Sequence, residues 1–183
     1  MRIIAGTAGG RRLSSPPGMK VRPTTDRIRE SLFSMLGDLN GATVVDGFAG
    51  RGALGLESLS RGATHAFFFD PYRAAIATVR KNVETLDMAD RAVVHHCDFE
   101  SGLKRITGTP DLWFLDPPYE SGEGQRALKA LDELTCVTEG ALVVWESADE
   151  EEAPRLERLK ETRLKDYGST WIRFYRCTKD ACP

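Results

Sequence analysis

The stretch Thr43-Val44-Val45-Asp46-Gly47-Phe48-Ala49-Gly50-Arg51-Gly52-Ala53-Leu54-Gly55 decides the fold. A short β-branched run ends in a carboxylate, glycines crowd the next positions, and a helical pattern runs on to about Gly62. Strand, tight loop and helix are the natural reading of that order. Outward from it the alternation repeats. Ala66-Phe67-Phe68-Phe69-Asp70 reads as a second strand, followed by an amphipathic helix marked by Ile76, Val79, Val83 and Leu86. Ala92 to Cys97 is a third strand, and Leu112-Trp113-Phe114-Leu115 a fourth that ends at Asp116. A helix through Leu128, Leu131 and Leu134 precedes a fifth strand, Ala141 to Trp145. Arg158 to Tyr167 and Thr170 to Cys177 flank Gly168 as an antiparallel pair.

Upstream, Ile28, Leu32, Met35, Leu36 and Leu39 recur at helical spacing, with Pro23-Thr24-Thr25 as the start and Gly41 just past the end. Residues 2–5 and 11–14 match a small hairpin across Gly6, Gly9 and Gly10. This alternation predicts an α/β fold with a doubly wound, mainly parallel seven-stranded sheet and a small N-terminal β-hairpin extension. The expected division is an arm over residues 1–22 and one domain over residues 23–183.

Composition sets outer bounds. The chain has 183 residues, 41% of them hydrophobic and 28% charged, which suits one globular domain with a substantial core. Its formal net charge of -2 excludes a polycation, yet the charge is uneven. Arg2, Arg11, Arg12, Lys20 and Arg22 precede the first acid, whereas Asp149-Glu150-Glu151-Glu152 is an acidic run. The asymmetry points to a basic face for a polyanion, with a solvated surface as the blander account. Cys97, Cys136, Cys177 and Cys182 show no paired spacing, and His65, His95 and His96 none that suits a metal. No metal site or disulfide framework is expected, and the cysteines fit a reducing cytoplasm. The N-terminal residues form no apolar signal region, and no membrane span is expected.

Asp116-Pro117-Pro118-Tyr119 closes the fourth strand. In open α/β sheets ligands bind beyond the carboxyl ends of the strands. Proline lacks an N–H and fixes φ, so the segment is rigid and presents carbonyl oxygens without competing donors. A carboxylate and a carbonyl side by side can accept both hydrogens of an amino group, and the ring beside them can stack on a planar base. That set suits the exocyclic amino group of a nucleobase. A proline-rich turn opened by Asp116 is the simpler alternative.

The glycine stretch contains G-x-G-x-x-G at Gly50, Gly52 and Gly55, and Asp70 lies twenty residues beyond Gly50. This spacing invites a dinucleotide, with Asp70 on the ribose. Asp46 argues against it, because a carboxylate beside the loop repels a pyrophosphate. S-adenosylmethionine (SAM) has no phosphate and carries an ammonium and a sulfonium, so Asp46 becomes favourable. Asp98, at the end of the third strand, is a candidate for the adenine amino group of SAM, and equally an N-cap for a helix starting near Phe99.

With both stretches in view, the chain resembles the class I SAM-dependent methyltransferases. More narrowly, it is similar to the bacterial 16S ribosomal RNA guanine-N2 methyltransferase family (RsmD type). The similarity includes Arg2-Ile3-Ile4-Ala5-Gly6 and Arg22-Pro23-Thr24-Thr25-Asp26-Arg27-Ile28-Arg29-Glu30-Ser31-Leu32-Phe33. It continues through Phe48-Ala49-Gly50-Arg51-Gly52-Ala53-Leu54-Gly55-Leu56-Glu57 to the tetrad. The tetrad is shared with adenine-N6 DNA methyltransferases, whereas the Arg22–Phe33 block points to ribosomal RNA. The chain departs from the family pattern at Arg51, where serine is usual, at Gly47, where a bulkier apolar residue is usual, and at Asp70, which replaces glutamate. A cation at Arg51 is expected to turn outward, toward RNA.

The resemblance implies methyl transfer from SAM to a guanine of small-subunit rRNA, in an assembling or assembled 30S subunit, by a monomeric enzyme. Asp116, Pro117 and Tyr119 would be the catalytic set. Asp46, Phe48, Gly50, Gly52, Asp70 and Asp98 would bind cofactor, and Arg2, Arg11, Arg12, Lys20 and Arg22 would grip RNA phosphates. A DNA adenine or other amino-group methyltransferase is the alternative. An NAD-dependent dehydrogenase is a third, disfavoured because no catalytic His or Lys stands out.

Overall fold

A computed structural model describes residues 1–16, 26–119, 121–148 and 151–179. Lys20, Arg22, Pro23-Thr24-Thr25, Asp149, Glu150 and Cys182 lie outside the described residues. In chain order the elements are α1 (Asp26–Leu36), β1 (Thr43–Asp46), α2 (Ala53–Ser60), β2 (His65–Asp70), α3 (Arg73–Thr85) and β3 (Ala92–His96). They continue with α4 (Phe99–Leu103), β4 (Leu112–Leu115), α5 (Glu123–Glu133), β5 (Leu142–Ala148), β6 (Leu159–Asp166) and β7 (Thr170–Cys177). The strands form one seven-stranded sheet in the order β3-β2-β1-β4-β5-β7-β6. The first five run parallel, and β7 pairs antiparallel with both β5 and β6.

The central strands are apolar throughout, as parallel strands covered on both faces must be. Alternate residues enter opposite cores. Val44, Phe68, Leu112, Phe114 and Val144 join one cluster with Leu32 and Phe33 of α1, Leu56 and Leu59 of α2, and Val79 and Val83 of α3. Val45, Phe67, Phe69, Trp113 and Trp145 join the other with Phe99 of α4 and Leu128 and Leu131 of α5. Helices therefore cover both faces of the sheet. Among the described residues, no helix is long and apolar enough to cross a membrane.

Strand order reverses between β1 and β4, so the crevice that binds ligands in doubly wound sheets opens beyond their carboxyl ends. Gly52, at φ 80°, makes the turn into α2. Gly55 serves packing, since a Cβ there would lie 2.3 Å from Cε1 of Phe68 on β2.

One expectation is corrected. Leu39 does not extend α1, because Gly37 enters the left-handed region at φ 77° and ends the helix, although Leu39 is still buried. The N-terminal segment pairs antiparallel as its hairpin pattern predicts, with Arg2 bridged to Arg12 and the Ile3 amide donating to the Arg11 carbonyl at 2.9 Å, and it packs into the core. Ile3, Ala8 and Leu13 belong to the first cluster. The buried carboxylate of Glu57 on α2 accepts the amides of Ile4 (2.7 Å) and Ala5 (3.1 Å) and Nε of Arg61 (2.7 Å). A buried carboxylate satisfied by three donors clamps the segment to α2.

Candidate active site

Four carboxylates converge at the carboxyl ends of neighbouring strands. Asp46 ends β1 and is 2% exposed, with Oδ2 accepting the Gly55 amide at 3.0 Å. Burial pushes its pKa up to about 7, the Gly55 hydrogen bond pulls against this, and the nearby Asp70 charge adds to it. Asp70 ends β2 and is 5% exposed. Its Oδ2 accepts the Gly50 amide and its Oδ1 the Tyr72 amide, each at 2.8 Å. Burial raises the Asp70 pKa, and those two amides oppose the rise.

Asp116 follows β4, half-buried, with Pro117 buried beside it. Glu146 lies in β5 and is 8% exposed. Tyr119 donates its hydroxyl to Oε1 of Glu146 at 3.1 Å and lies 2.8 Å from Oγ1 of Thr170 at the start of β7. Burial raises the phenol pKa, so the hydroxyl keeps its proton at neutral pH.

One cleft of about 530 Å³ joins these groups. Asp46, Phe48, Gly50, Asp70, Asp116, Pro117 and Tyr119 all line it. Gly52 sits behind the loop, its amide donating to the Ala49 carbonyl at 2.6 Å. Asp98 lines a smaller adjoining cavity of about 180 Å³ that shares Phe48, Pro71 and Glu123 with the main cleft. It does cap α4, accepting the Ser101 amide at 2.8 Å, and its bonds from Ser101 hold its pKa below the usual carboxylate value. Phe48 stacks on Phe99 with centroids 5.5 Å apart. Gly47 permits that pair, because a Cβ there would meet the Phe99 ring at 2.6 Å.

Arg51 is corrected. It does not turn outward: it is 9% exposed and lines the cleft. Burial and the neighbouring Arg29 charge lower its pKa. Arg29 of α1 also lines the cleft with a guanidinium 1% exposed. Its Nη2 donates to the Arg2 carbonyl and to Oδ1 of Asp26 (3.2 Å), whereas Nε and Nη1 have no hydrogen-bond partner among the described residues.

Reading the sequence missed Arg29 and Glu146. A signal for Glu146 existed, as it follows Trp145 where the fifth strand approaches the ligand side. Arg2, Arg11 and Arg12 are exposed and lie outside the cleft lining. Arg2 pairs with Asp26 at 3.8 Å, while Arg11 pairs with Asp87 at 3.6 Å and donates to the Thr85 carbonyl.

Chemically, the cleft offers the two buried carboxylates of Asp46 and Asp70, the half-buried carboxylate of Asp116 and an aromatic ring, Tyr119, anchored through its hydroxyl. Known proteins resemble the chain over most of its length. The chain is 40% identical over 182 residues to the Bacillus subtilis protein named "Putative rRNA methyltransferase YlbH", covering 96% of this chain and 98% of that one. It is 37% identical over 156 residues to "Ribosomal RNA small subunit methyltransferase D" of Escherichia coli, covering 84% and 78%. The solved structure titled "Putative methyltransferase yhhF from Escherichia coli" superposes with a TM-score of 0.86 at 35% identity, covering 98% of this chain and 99% of that one. Residues 1–176 match the family model described as conserved hypothetical protein 95, and the chain, from the N-terminal segment clamped by Glu57 through β7, belongs to that family.

Proposed function

We propose that this protein transfers a methyl group from SAM to the exocyclic N2 amino group of a guanine in small-subunit ribosomal RNA, acting as a monomer in the cytoplasm. The observation that carries the reading is the shared cleft, which Asp116, Pro117 and Tyr119 line together with Asp46 and Asp70. The relatives named as rRNA small subunit methyltransferases support the choice of RNA.

The residues fit SAM. Asp46, buried and held near pH 7, gains most from an adjacent cation, which an ammonium supplies. The Asp70 oxygens each accept one amide and have a second lone pair for a ribose hydroxyl. A pyrophosphate would face both buried carboxylates, while the Arg29 and Arg51 cations that line the same cleft suit the carboxylate of SAM rather than its sulfonium. Phe48, Pro71 and Asp98 border the adjoining cavity, where an adenine would be held. SAM supplies an electrophilic methyl group on a sulfonium.

The protein's part is to bind and orient. A base taken out of its stack lies on the Tyr119 ring. The Asp116 carboxylate and the Pro117 carbonyl accept the two N2 hydrogens and turn the nitrogen lone pair toward the methyl carbon. Orientation of this kind contributes about 7–11 kcal/mol in favourable intramolecular cases. Asp116 takes the proton that the methylated nitrogen releases.

The test is methyl transfer from radiolabelled SAM to 30S particles, naked rRNA and DNA in parallel, with digestion to nucleosides. N2-methylguanosine from rRNA or 30S particles is the expected product. Label only in DNA adenine would overturn the reading.

A further inference from the structure

The tetrad by itself does not choose a base, since the amino group of adenine, cytosine or guanine would satisfy Asp116 alike. The neighbouring strand supplies a second carboxylate. Leu115 of β4 pairs in parallel register with Trp145 of β5, so Asp116 and Glu146 each follow that pair on neighbouring strands, and both line the cleft. Adjacent strands lie about 4.8 Å apart. Glu146 is largely buried and lines the same cleft. Its Oε1 accepts the Tyr119 hydroxyl at 3.1 Å, and the Thr170 hydroxyl stands 2.8 Å behind that phenol. The carboxylate is thereby tied to the ring on which the base would stack.

We propose that Glu146 is the specificity-determining residue that selects guanine, its carboxylate accepting the N1–H of the base while Asp116 and the Pro117 carbonyl hold the adjacent N2 amino group. This inference rests on the guanine-N2 reading above. Guanine is the standard base whose amino group has a ring N–H next to it. In adenine and cytosine the ring nitrogen beside the amino group carries a lone pair. An ionised carboxylate only accepts hydrogen bonds, so it attracts the guanine edge and repels the other two. Each carboxylate oxygen has two lone pairs, so one carboxylate can accept from both the Tyr119 hydroxyl and a base. Sites built around a hydrogen-bonding contact reject an analogue that lacks the matching group far better than apolar pockets reject a missing methylene.

2-Aminopurine separates the possibilities, because it keeps the N2 amino group and replaces the N1–H with a lone pair. It is placed at the methylated position of the rRNA by ligation of a synthetic oligonucleotide, and kcat/KM is measured against guanine at the same position. The wild-type protein is expected to prefer guanine by at least about tenfold. Glu146→Gln keeps a carbonyl for Tyr119 and presents an N–H to the base, so it should slow guanine and erase or reverse the preference. Thr170→Val, which removes the hydroxyl behind Tyr119, should slow both substrates equally. A wild-type guanine-to-2-aminopurine ratio retained in Glu146→Gln would overturn the role of Glu146 while leaving guanine methylation standing. Methyl label recovered on adenine or cytosine by the wild-type protein would overturn the guanine reading, and this inference with it.

Discussion

The Gly50 amide donates to Oδ2 of Asp70 across 2.8 Å, joining the glycine loop to the tip of β2. Asp70 is thus a loop anchor as well as the proposed ribose acceptor. Asp70→Ala should remove both roles and weaken SAM binding by more than about tenfold, the scale of one charge-assisted hydrogen bond. Asp70→Asn retains one acceptor oxygen and should lose less. Calorimetry with SAM checks both variants, and wild-type affinity in the pair would refute placing the ribose at β2.

Asp46 predicts a pH dependence. Its folded-state pKa of about 7 lies above the ordinary carboxylate value, so folding disfavours its ionised form. The associated stability is complete below the ordinary value and is lost as pH rises through about 7. An ammonium requires that ionised form, so SAM affinity should fall as pH drops below about 7, approaching tenfold per unit. Asp46→Asn keeps an acceptor for the Gly55 amide and removes the buried charge. It should melt several degrees higher at pH 8 and bind SAM poorly at every pH. A pH-independent wild-type affinity between pH 5.5 and 8, on the scale of about one pKa unit either side, would sink this account.

Asp116→Ala should abolish most methyl transfer and leave SAM affinity within a few-fold, since the carboxylate serves the base. A contact made in the transition state lowers kcat more than it raises KM. Asn should keep partial activity through its carbonyl. Steady-state kinetics on 30S particles decide this, and wild-type kcat in the Ala variant is the outcome that rejects it.

The Tyr119 hydroxyl is bonded to Glu146 and Thr170. From sequence alone the hydroxyl looks dispensable, because stacking needs only the ring. The structure revises that expectation. Tyr119→Phe should lower kcat/KM several-fold by freeing the ring, with Tyr119→Ala losing about 1–3 kcal/mol, the usual value for one stacked base. Equal activity of Phe and wild type would show that packing alone holds the ring.

Features written locally were legible in the sequence, and those made by distant contacts were not. The run Thr43–Asp46 is β1 to the residue, and each parallel strand is near the span that its apolar run suggests. Asp46, Asp70 and Asp116 could be placed because strand ends carry ligands in this fold. β5 runs beyond Trp145 because Ala148 pairs with Thr170 of β7, a partner that no local pattern announces. Arg51 turns inward beside Arg29 of α1, and Glu57 reaches back to Ile4 and Ala5. Each depends on an element remote in sequence.

That last contact changes how the N-terminal segment must be tested. Deleting residues 1–20 would strip Ile3, Ala8 and Leu13 from the core and leave the buried Glu57 without its two amide donors, so unfolding would obscure any effect on RNA. Point substitutions avoid this. Arg12 is exposed, and Arg11 is already engaged with Asp87 and the Thr85 carbonyl, so of the two Arg12 is better placed to reach a phosphate. Phosphate contacts make affinity fall with salt, with a log–log slope of roughly 0.7–0.9 per contact. Arg12→Ala should reduce the slope for rRNA by about that amount, with melting temperature and SAM affinity unchanged, and the Arg11/Arg12 double variant should reduce it by at least as much, up to roughly 1–2 if Arg11 also leaves Asp87 for a phosphate. A wild-type slope in the double variant would mean that this segment serves the core and that the phosphates are held elsewhere, with the loop after Tyr119 the next surface to probe.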